Sequence, residues 1–214
     1  WKGKIVIALS HFFTKKMDLP IACSESVAQS YWDEQHYKMK AIPNGSSLSL
    51  WKYDEEQKAK LRKELGLKDD RIGLLLLGNG ELYDELKKHE TENLKMPGFK
   101  SNIYDYLKAS DYYISASDVE GLANTLLESM TVGLPCVLSD IPSHKEVLSK
   151  AKQTIGYTFN NKDMNGLKNA IHDILKIDEN CTRIYIQSLF DKYYTAQKMS
   201  ESYQKAYIDL VNNL

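Results

Sequence analysis

The sequence predicts an α/β protein with a Rossmann-like parallel sheet flanked by helices. Two observations carry the prediction. Short apolar runs at Leu74-Leu75-Leu76-Leu77, at 112–117 and at 134–139 alternate with stretches of helical spacing. The first two of those runs break into glycine turns, at Gly78-Asn79-Gly80 and at Gly121, before the next helical pattern begins. Composition agrees: 43% hydrophobic and 27% charged residues at net charge −1 describe a globular chain with enough apolar surface for a sizeable core.

In chain order, Ile5-Val6-Ile7-Ala8-Leu9 reads as a strand, with His11 just beyond its end. Residues 43–49 read as the one linker. Acids and bases mix over 54–64, the pattern of a solvated helix face. The four leucines from Leu74 read as a buried strand, followed after the glycine turn by a helix over 82–89. Ile103, Tyr104 and Leu107 share a short helix. Tyr112-Tyr113-Ile114-Ser115-Ala116-Ser117 is aromatic, β-branched and short, a strand. Asn124 or Thr125 can cap the helix that follows, and Gly133 with Pro135 ends it, leaving Leu126, Leu127, Met130 and Val132 on buried faces. Leu134-Pro135-Cys136-Val137-Leu138-Ser139 is the next strand, completing one βαβ unit. The tyrosines from Tyr193-Tyr194 to Tyr207 follow helical spacing and suit a packing surface.

The chemistry concentrates in Glu120-Gly121-Leu122-Ala123-Asn124-Thr125-Leu126-Leu127-Glu128. Glu120 falls in the loop at the carboxyl end of a strand, and Glu128 falls one turn into a helix. Parallel sheets bind ligands at those strand ends, and a helix start offers unpaired N–H groups to a phosphate. Carboxylates accept hydrogen bonds from sugar hydroxyls, so this arrangement suits a ligand that is both polyol and diphosphate: a nucleotide sugar. The bland reading of two carboxylates at this spacing, a turn residue and a solvated helix position, is outweighed here by the βαβ context. Asp140 at its strand end serves equally as a turn former, and His11 and His144 read as exposed bystanders.

The run Ser115-x4-Glu120-Gly121-x6-Glu128, continued by Met130-x2-Gly133-Leu134-Pro135-Cys136-Val137 and Ser139-Asp140-Ile141-Pro142-Ser143-His144-Lys145-Glu146-Val147, resembles the donor-binding domain of retaining glycosyltransferases of family 4, which have the GT-B fold. The resemblance implies that Glu120 lies near the transferred sugar as the catalytic carboxylate, that Glu128 holds the ribose hydroxyls, and that Gly121, Leu122, Ala123, Asn124 and Thr125 face the sugar and diphosphate. It further assigns Gly78, Asn79 and Gly80 to the strand entering the donor site. Gly98, Phe99 and Lys100, with Tyr104 in the next helix, are assigned to the base. Pro43-Asn44-Gly45 resembles the family's interdomain linker, the stretch from Ala22 to Val27 its last acceptor-domain strand and helix, and the stretch from Met199 to Tyr207 its C-terminal crossover helix. The implied organisation is an incomplete N-terminal acceptor domain over 1–43, a donor domain over 44–195 and a crossover helix over 196–214.

Two departures stand out. The family carries a strand ending in Gly-Arg with a basic residue after it, which neutralises the leaving diphosphate; this chain has none. From Leu65-Gly66-Leu67 to Leu74 there are too few residues for a βαβ crossover, which takes roughly 30 in all, and 13–17 is similarly abrupt. The expectation is that the natural protein carries further residues near Phe13 and Asp70, with an intact mass above 24.5 kDa, or that the sheet has lost a strand.

The expected activity is retaining, metal-independent hexosyl transfer from a UDP-sugar, with a GDP-sugar as the second choice, to a glycan or lipid-linked acceptor in polysaccharide biosynthesis. No cofactor and no metal site are expected, since neither an Asp-x-Asp motif nor a full dinucleotide fingerprint is present. A nucleotide-sugar epimerase of the same fold and a non-catalytic nucleotide-sugar-binding subunit are the alternatives. The charge balance argues against a nucleic-acid partner. Lacking any stretch that resembles a signal peptide or membrane span, the chain is expected in the cytoplasm, with peripheral association at the inner membrane face by analogy. Cys23, Cys136 and Cys181 are read as reduced core thiols.

Overall fold

The computed structural model describes residues 17–32, 39–46, 54–68 and 72–213. The strand expected at 5–9, His11, the end of the linker and Asp70 lie outside the described residues. The chain divides into two compact units, one of Trp1–Leu48 with Tyr112–Leu214, the other Ser49–Asp111.

The described part of the first unit opens with β1 (Ile21–Ala22), α1 (Glu25–Trp32) and β2 (Lys40–Ala41), the two strands being parallel. The turn from Pro43 to Gly45 approaches the main chain at Thr195 so closely that a Cβ on Gly45 would stand 2.5 Å from the Thr195 carbonyl oxygen. Only glycine fits there.

The second unit contains α2 (Glu55–Leu65), β3 (Leu74–Leu77), α3 (Tyr83–Lys87), β4 (Leu94–Gly98) and α4 (Ile103–Lys108). Asp54 caps α2 by accepting the Gln57 N–H, and Gly66 closes it at φ 65°. β3 and β4 form a two-stranded parallel sheet. Leu75 and Leu77 pack on Leu61, Tyr106 and Ala109, whereas Leu74 and Leu76 are 45% and 42% exposed. The leucine strand is therefore not buried on both faces as expected. Its helices α2 and α4 supply apolar cover to one face, and a strand's side chains alternate between faces.

The remainder of the first unit is β5 (Tyr113–Ser115), α5 (Asn124–Val132), β6 (Cys136–Ser139), α6 (Pro142–Ser149), β7 (Gly156–Phe159), α7 (Met164–Ile174), α8 (Glu179–Tyr193) and α9 (Ala196–Asn212). The strands lie in the order β5-β6-β7, all parallel, with Tyr113 opposite Cys136 and Cys136 opposite Gly156. β6 is the middle strand and all four of its residues are buried, which is why it reads as an unbroken apolar run. Leu138 faces Leu126, Leu127, Met130, Ile186 and Phe190 on one side, and Val137 faces Phe159, Ala170 and Ile174 on the other. Full burial of each such side chain contributes about 1.5–3 kcal/mol.

The stop of α5 is as expected: Gly133 takes φ 79° and its N–H and that of Leu134 close onto Met130 and Ser129. Its start is not. The N-cap is Ala123, and no side chain caps the helix, so Asn124 and Thr125 are already inside it. Their side chains are engaged elsewhere, Asn124 with Asn44 at 3.2 Å and Thr125 with the Tyr113 hydroxyl at 2.9 Å. No described helix is long and apolar enough to cross a membrane.

Candidate functional site

In the first unit, the loop leaving β5 carries Glu120 and is held by its own serines. Ser115 Oγ donates to Ser117 Oγ at 3.3 Å, and Ser117 Oγ donates to Glu120 Oε1 at 2.9 Å. Asn161, just past β7, reaches back with its amide nitrogen to the carbonyls of Ala116 and Ser117 and to the Asp118 carboxylate. The loop that carries half-buried Glu120 is thus held by side chains from two strand ends, and Ser117 alone of them touches the carboxylate.

Next along the chain, Gly121 passes so close to Cys23 that a Cβ would meet its sulfur at 2.7 Å. Leu122 and Ala123 are buried and anchor the turn into α5, while Asn44 Nδ2 holds the Leu122 carbonyl at 3.4 Å. The first N–H groups of α5 receive no side-chain cap, so the positive end of the helix dipole is available to an anion. Glu128 is half-buried; its carbonyl accepts the Thr131 hydroxyl at 2.6 Å, and its carboxylate has no hydrogen-bond or ion-pair partner among the described residues. Burial raises its pKa. A carboxylate taken partly out of water with no donor to replace it has acceptor capacity left for a ligand.

The second unit gathers Gly78, Asn79, Gly98 and Phe99 at one junction. Asn79 Oδ1 accepts the Phe99 N–H at 2.7 Å, and the Gly78 N–H donates to the Gly98 carbonyl at 3.1 Å. Gly78 and Gly98 take φ of 128° and 78°, a region that disfavours any residue with a Cβ. At Gly80 a Cβ would meet nothing and φ is not positive, so neither space nor backbone requires glycine there. Phe99 is 70% exposed; Lys100 is half-buried, and exposed Tyr104 lies under the Lys108 ammonium at 5.3 Å. Tyr83 and Lys87 both donate to the Met96 carbonyl, and Glu90 accepts the Met96 N–H, so the main chain leading to Gly98 is braced by three side chains.

Two readings are corrected by position. His144 is fully buried rather than exposed, because α6 turns straight back on the end of β6. Cys181 is exposed at the start of α8, so only Cys136 is a core thiol, with Cys23 half-buried. Asp140 is engaged by an ion pair with Lys145. Asn161 and Ser117 were not singled out from sequence. Polar residues directly after a parallel strand, such as Asn160-Asn161 after β7, are the signal that could have found the former.

Residues 56–188 match the family described as glycosyl transferases group 1. Among curated relatives, the chain is 28% identical over 148 residues to the UDP-Gal:alpha-D-GlcNAc-diphosphoundecaprenol alpha-1,3-galactosyltransferase of Escherichia coli, covering 65% of this chain and 37% of that one. It is 33% identical over 85 residues to an N-acetylgalactosamine-N,N'-diacetylbacillosaminyl-diphospho-undecaprenol 4-alpha-N-acetylgalactosaminyltransferase of Campylobacter jejuni, covering 37% and 23%. The chain therefore spans well under half the length of these relatives. Among solved structures, the Anabaena protein HepE in complex with UDP superposes with a TM-score of 0.75 at 16% identity, over 90% of this chain and 64% of that one. The sucrose-phosphate synthase of Thermosynechococcus elongatus gives 0.74 at 15%, over 99% and 63%. These likenesses show the fold, which is GT-B.

Proposed function

The chain belongs to the glycosyl transferases group 1 family, and we propose that it is the donor-binding part of a retaining enzyme of glycosyltransferase family 4. In this reading it moves a hexose from a nucleoside diphosphate sugar, UDP before GDP, to a glycan or lipid-linked acceptor. One observation carries the proposal: the half-buried Glu128 carboxylate, with no partner among the described residues, stands one turn beyond a helix start that no side chain caps, and the Glu120 loop leads into that start.

The uncapped N–H groups of α5 stabilise the charge that develops on the departing diphosphate, and the Glu120 carboxylate stabilises the oxocarbenium-like sugar. Glu128 accepts hydrogen bonds from the ribose diol; bonds to a charged acceptor contribute about 1.5–3 kcal/mol. The exposed Phe99 and the braced main chain before it are assigned to the base. The names of the relatives support a UDP-sugar and a lipid diphosphate acceptor, and a peripheral position at the membrane follows from such an acceptor.

The test is a thermal-shift panel with UDP, GDP, ADP and NAD on the natural protein, followed by donor turnover. Ligand at about 100 times its Kd adds roughly 2.7 kcal/mol. Glu128→Ala should weaken UDP binding about tenfold or more, whereas Glu120→Gln should chiefly lower turnover. Equal loss of affinity in both would end this division of roles. The missing Gly-Arg segment favours a second reading, a subunit that binds nucleotide sugar without transferring it. UDP binding with no turnover on any donor and acceptor would select that reading.

A further inference from the structure

We propose that His144 is a positioning residue for transfer, setting the orientation of the Glu120 carboxylate through Ser139 and Ser117. The inference rests on the reading of Glu120 given above, and all the residues it uses belong to one compact unit.

The argument is one of hydrogen-bond direction. His144 Nδ1 lies 3.1 Å from both the Ser139 hydroxyl and the Ser139 carbonyl. A carbonyl only accepts. The Ser139 hydroxyl has a single proton, and it goes to the Ser117 carbonyl at 2.5 Å, so toward the ring this oxygen accepts as well. Both contacts therefore require the proton on Nδ1, and the relay has a fixed sense: His144 donates to Ser139, and Ser139 donates to the main chain at Ser117. At that same residue the Ser117 hydroxyl takes the Ser115 proton and gives its own to Glu120. His144 thus holds, through Ser139, the main chain of Ser117, the residue whose hydroxyl donates to the Glu120 carboxylate.

Packing alone does not account for a histidine here. His144 is 0% exposed, and among the described residues neither its Nε2 nor the neighbouring Ser143 hydroxyl has a hydrogen-bond partner. An unsatisfied buried polar atom destabilises the fold, and an apolar residue of similar volume would fill the space without that cost. The local chain explains how the ring arrives: Ile141 N–H closes a turn onto the Ser139 carbonyl, and Pro142 starts α6, placing His144 in its first turn. Asn161 holds the same loop from β7 but reaches no atom of Glu120. The relay from His144 ends on the Ser117 carbonyl, which Asn161 also reaches, and it acts on Glu120 through the placement of the Ser117 hydroxyl.

The test compares Ser139→Ala, His144→Phe and His144→Asn, reading amide hydrogen exchange over 116–121 together with donor turnover and UDP affinity. An Asn side chain can place its amide N–H where Nδ1 stands; Phe keeps the bulk and loses the donor. Ser139→Ala and His144→Phe should exchange about tenfold faster over 116–121 while α5 and β6 keep native protection. Turnover should fall about tenfold with KM for the donor and Kd for UDP within roughly twofold. His144→Asn should restore both. In a Glu120→Gln background, Ser139→Ala should lower turnover no further. Native loop exchange in Ser139→Ala, or a loss in His144→Asn equal to that in His144→Phe, would overturn the proposal, and Ser139→Ala decides it even where His144→Phe does not fold. Failure of UDP to bind the unsubstituted protein would instead strike the transferase reading, while the exchange measurement still decides the relay.

Discussion

Glu146 caps a helix that begins 121 residues before it: its Oε1 accepts the N–H of Glu25 at 3.1 Å and its Oε2 that of Ser26 at 2.9 Å. Ser24 Oγ takes the next N–H, that of Val27, so three of the four free donors at the start of α1 are satisfied by side chains. The carboxylate also complements the positive end of the α1 dipole.

Removing that cap should cost stability. Glu146→Ala should lower the unfolding free energy by about 1 kcal/mol, within the 0.5–2 kcal/mol range of lost N-caps. Glu146→Gln, which keeps one acceptor oxygen, should lose less. Urea unfolding of the three proteins gives the comparison, and an unchanged midpoint in Glu146→Ala would show the contact to be idle.

Gly121 should tolerate a methyl group only if Cys23 yields. A Cβ there would stand 2.7 Å from the Cys23 sulfur and 3.7 Å from Val27, and overpacking of this kind costs about 1–3 kcal/mol. Cys23→Ala removes the obstructing atom. Thermal unfolding of Gly121→Ala alone and with Cys23→Ala should show the double variant recovering part of the loss, a coupling expected only of residues in contact.

Much of this architecture was legible because it rests on local signals. Gly133 ends α5 because only glycine takes φ 79° cheaply, and β6 reads as a strand because it is buried on both faces. The signals that failed were tertiary. Asn124 and Thr125 are good caps by chemistry, but Asn44 and Tyr113 engage them and the N-cap falls at Ala123. Leu74 and Leu76 look like core from composition, yet their side of β3 remains exposed. His144 looked exposed because no periodicity marks a side chain that turns back on the preceding strand. The Glu120 and Glu128 spacing was visible at once, while Ser117, Ser139 and Asn161 became visible only when the strand ends were placed side by side.

The cysteines should separate by reactivity. Cys181 is exposed, whereas Cys136 is buried with its thiol pKa pushed up to about 12 by burial, and the thiolate is the reactive form. Iodoacetamide at pH 8 should label Cys181 in the folded protein and reach Cys136 only after unfolding. Mass spectrometry of the digested protein distinguishes the two. Labelling of Cys136 under native conditions would mean that β6 opens far more readily than its packing implies.

Glu128 should leave a signature in the pH dependence of both stability and binding. Burial raises its folded-state pKa above the ordinary carboxylate value of 4.5, so between the unfolded and folded pKa values the folded protein binds more protons than the unfolded chain. The associated stability is present below the unfolded pKa and is lost as pH rises through the folded one. Glu128→Gln removes this titration, and its stability should fall less than that of the unsubstituted protein across that window. A ribose diol donating to the carboxylate favours the ionised form and should draw the pKa back down. UDP affinity should therefore strengthen with pH through the same window in the unsubstituted protein and not in Glu128→Gln; subtracting the two profiles cancels the titration of the UDP phosphate itself. Parallel profiles in calorimetry would show that Glu128 does not meet the ribose, whatever else it does on α5.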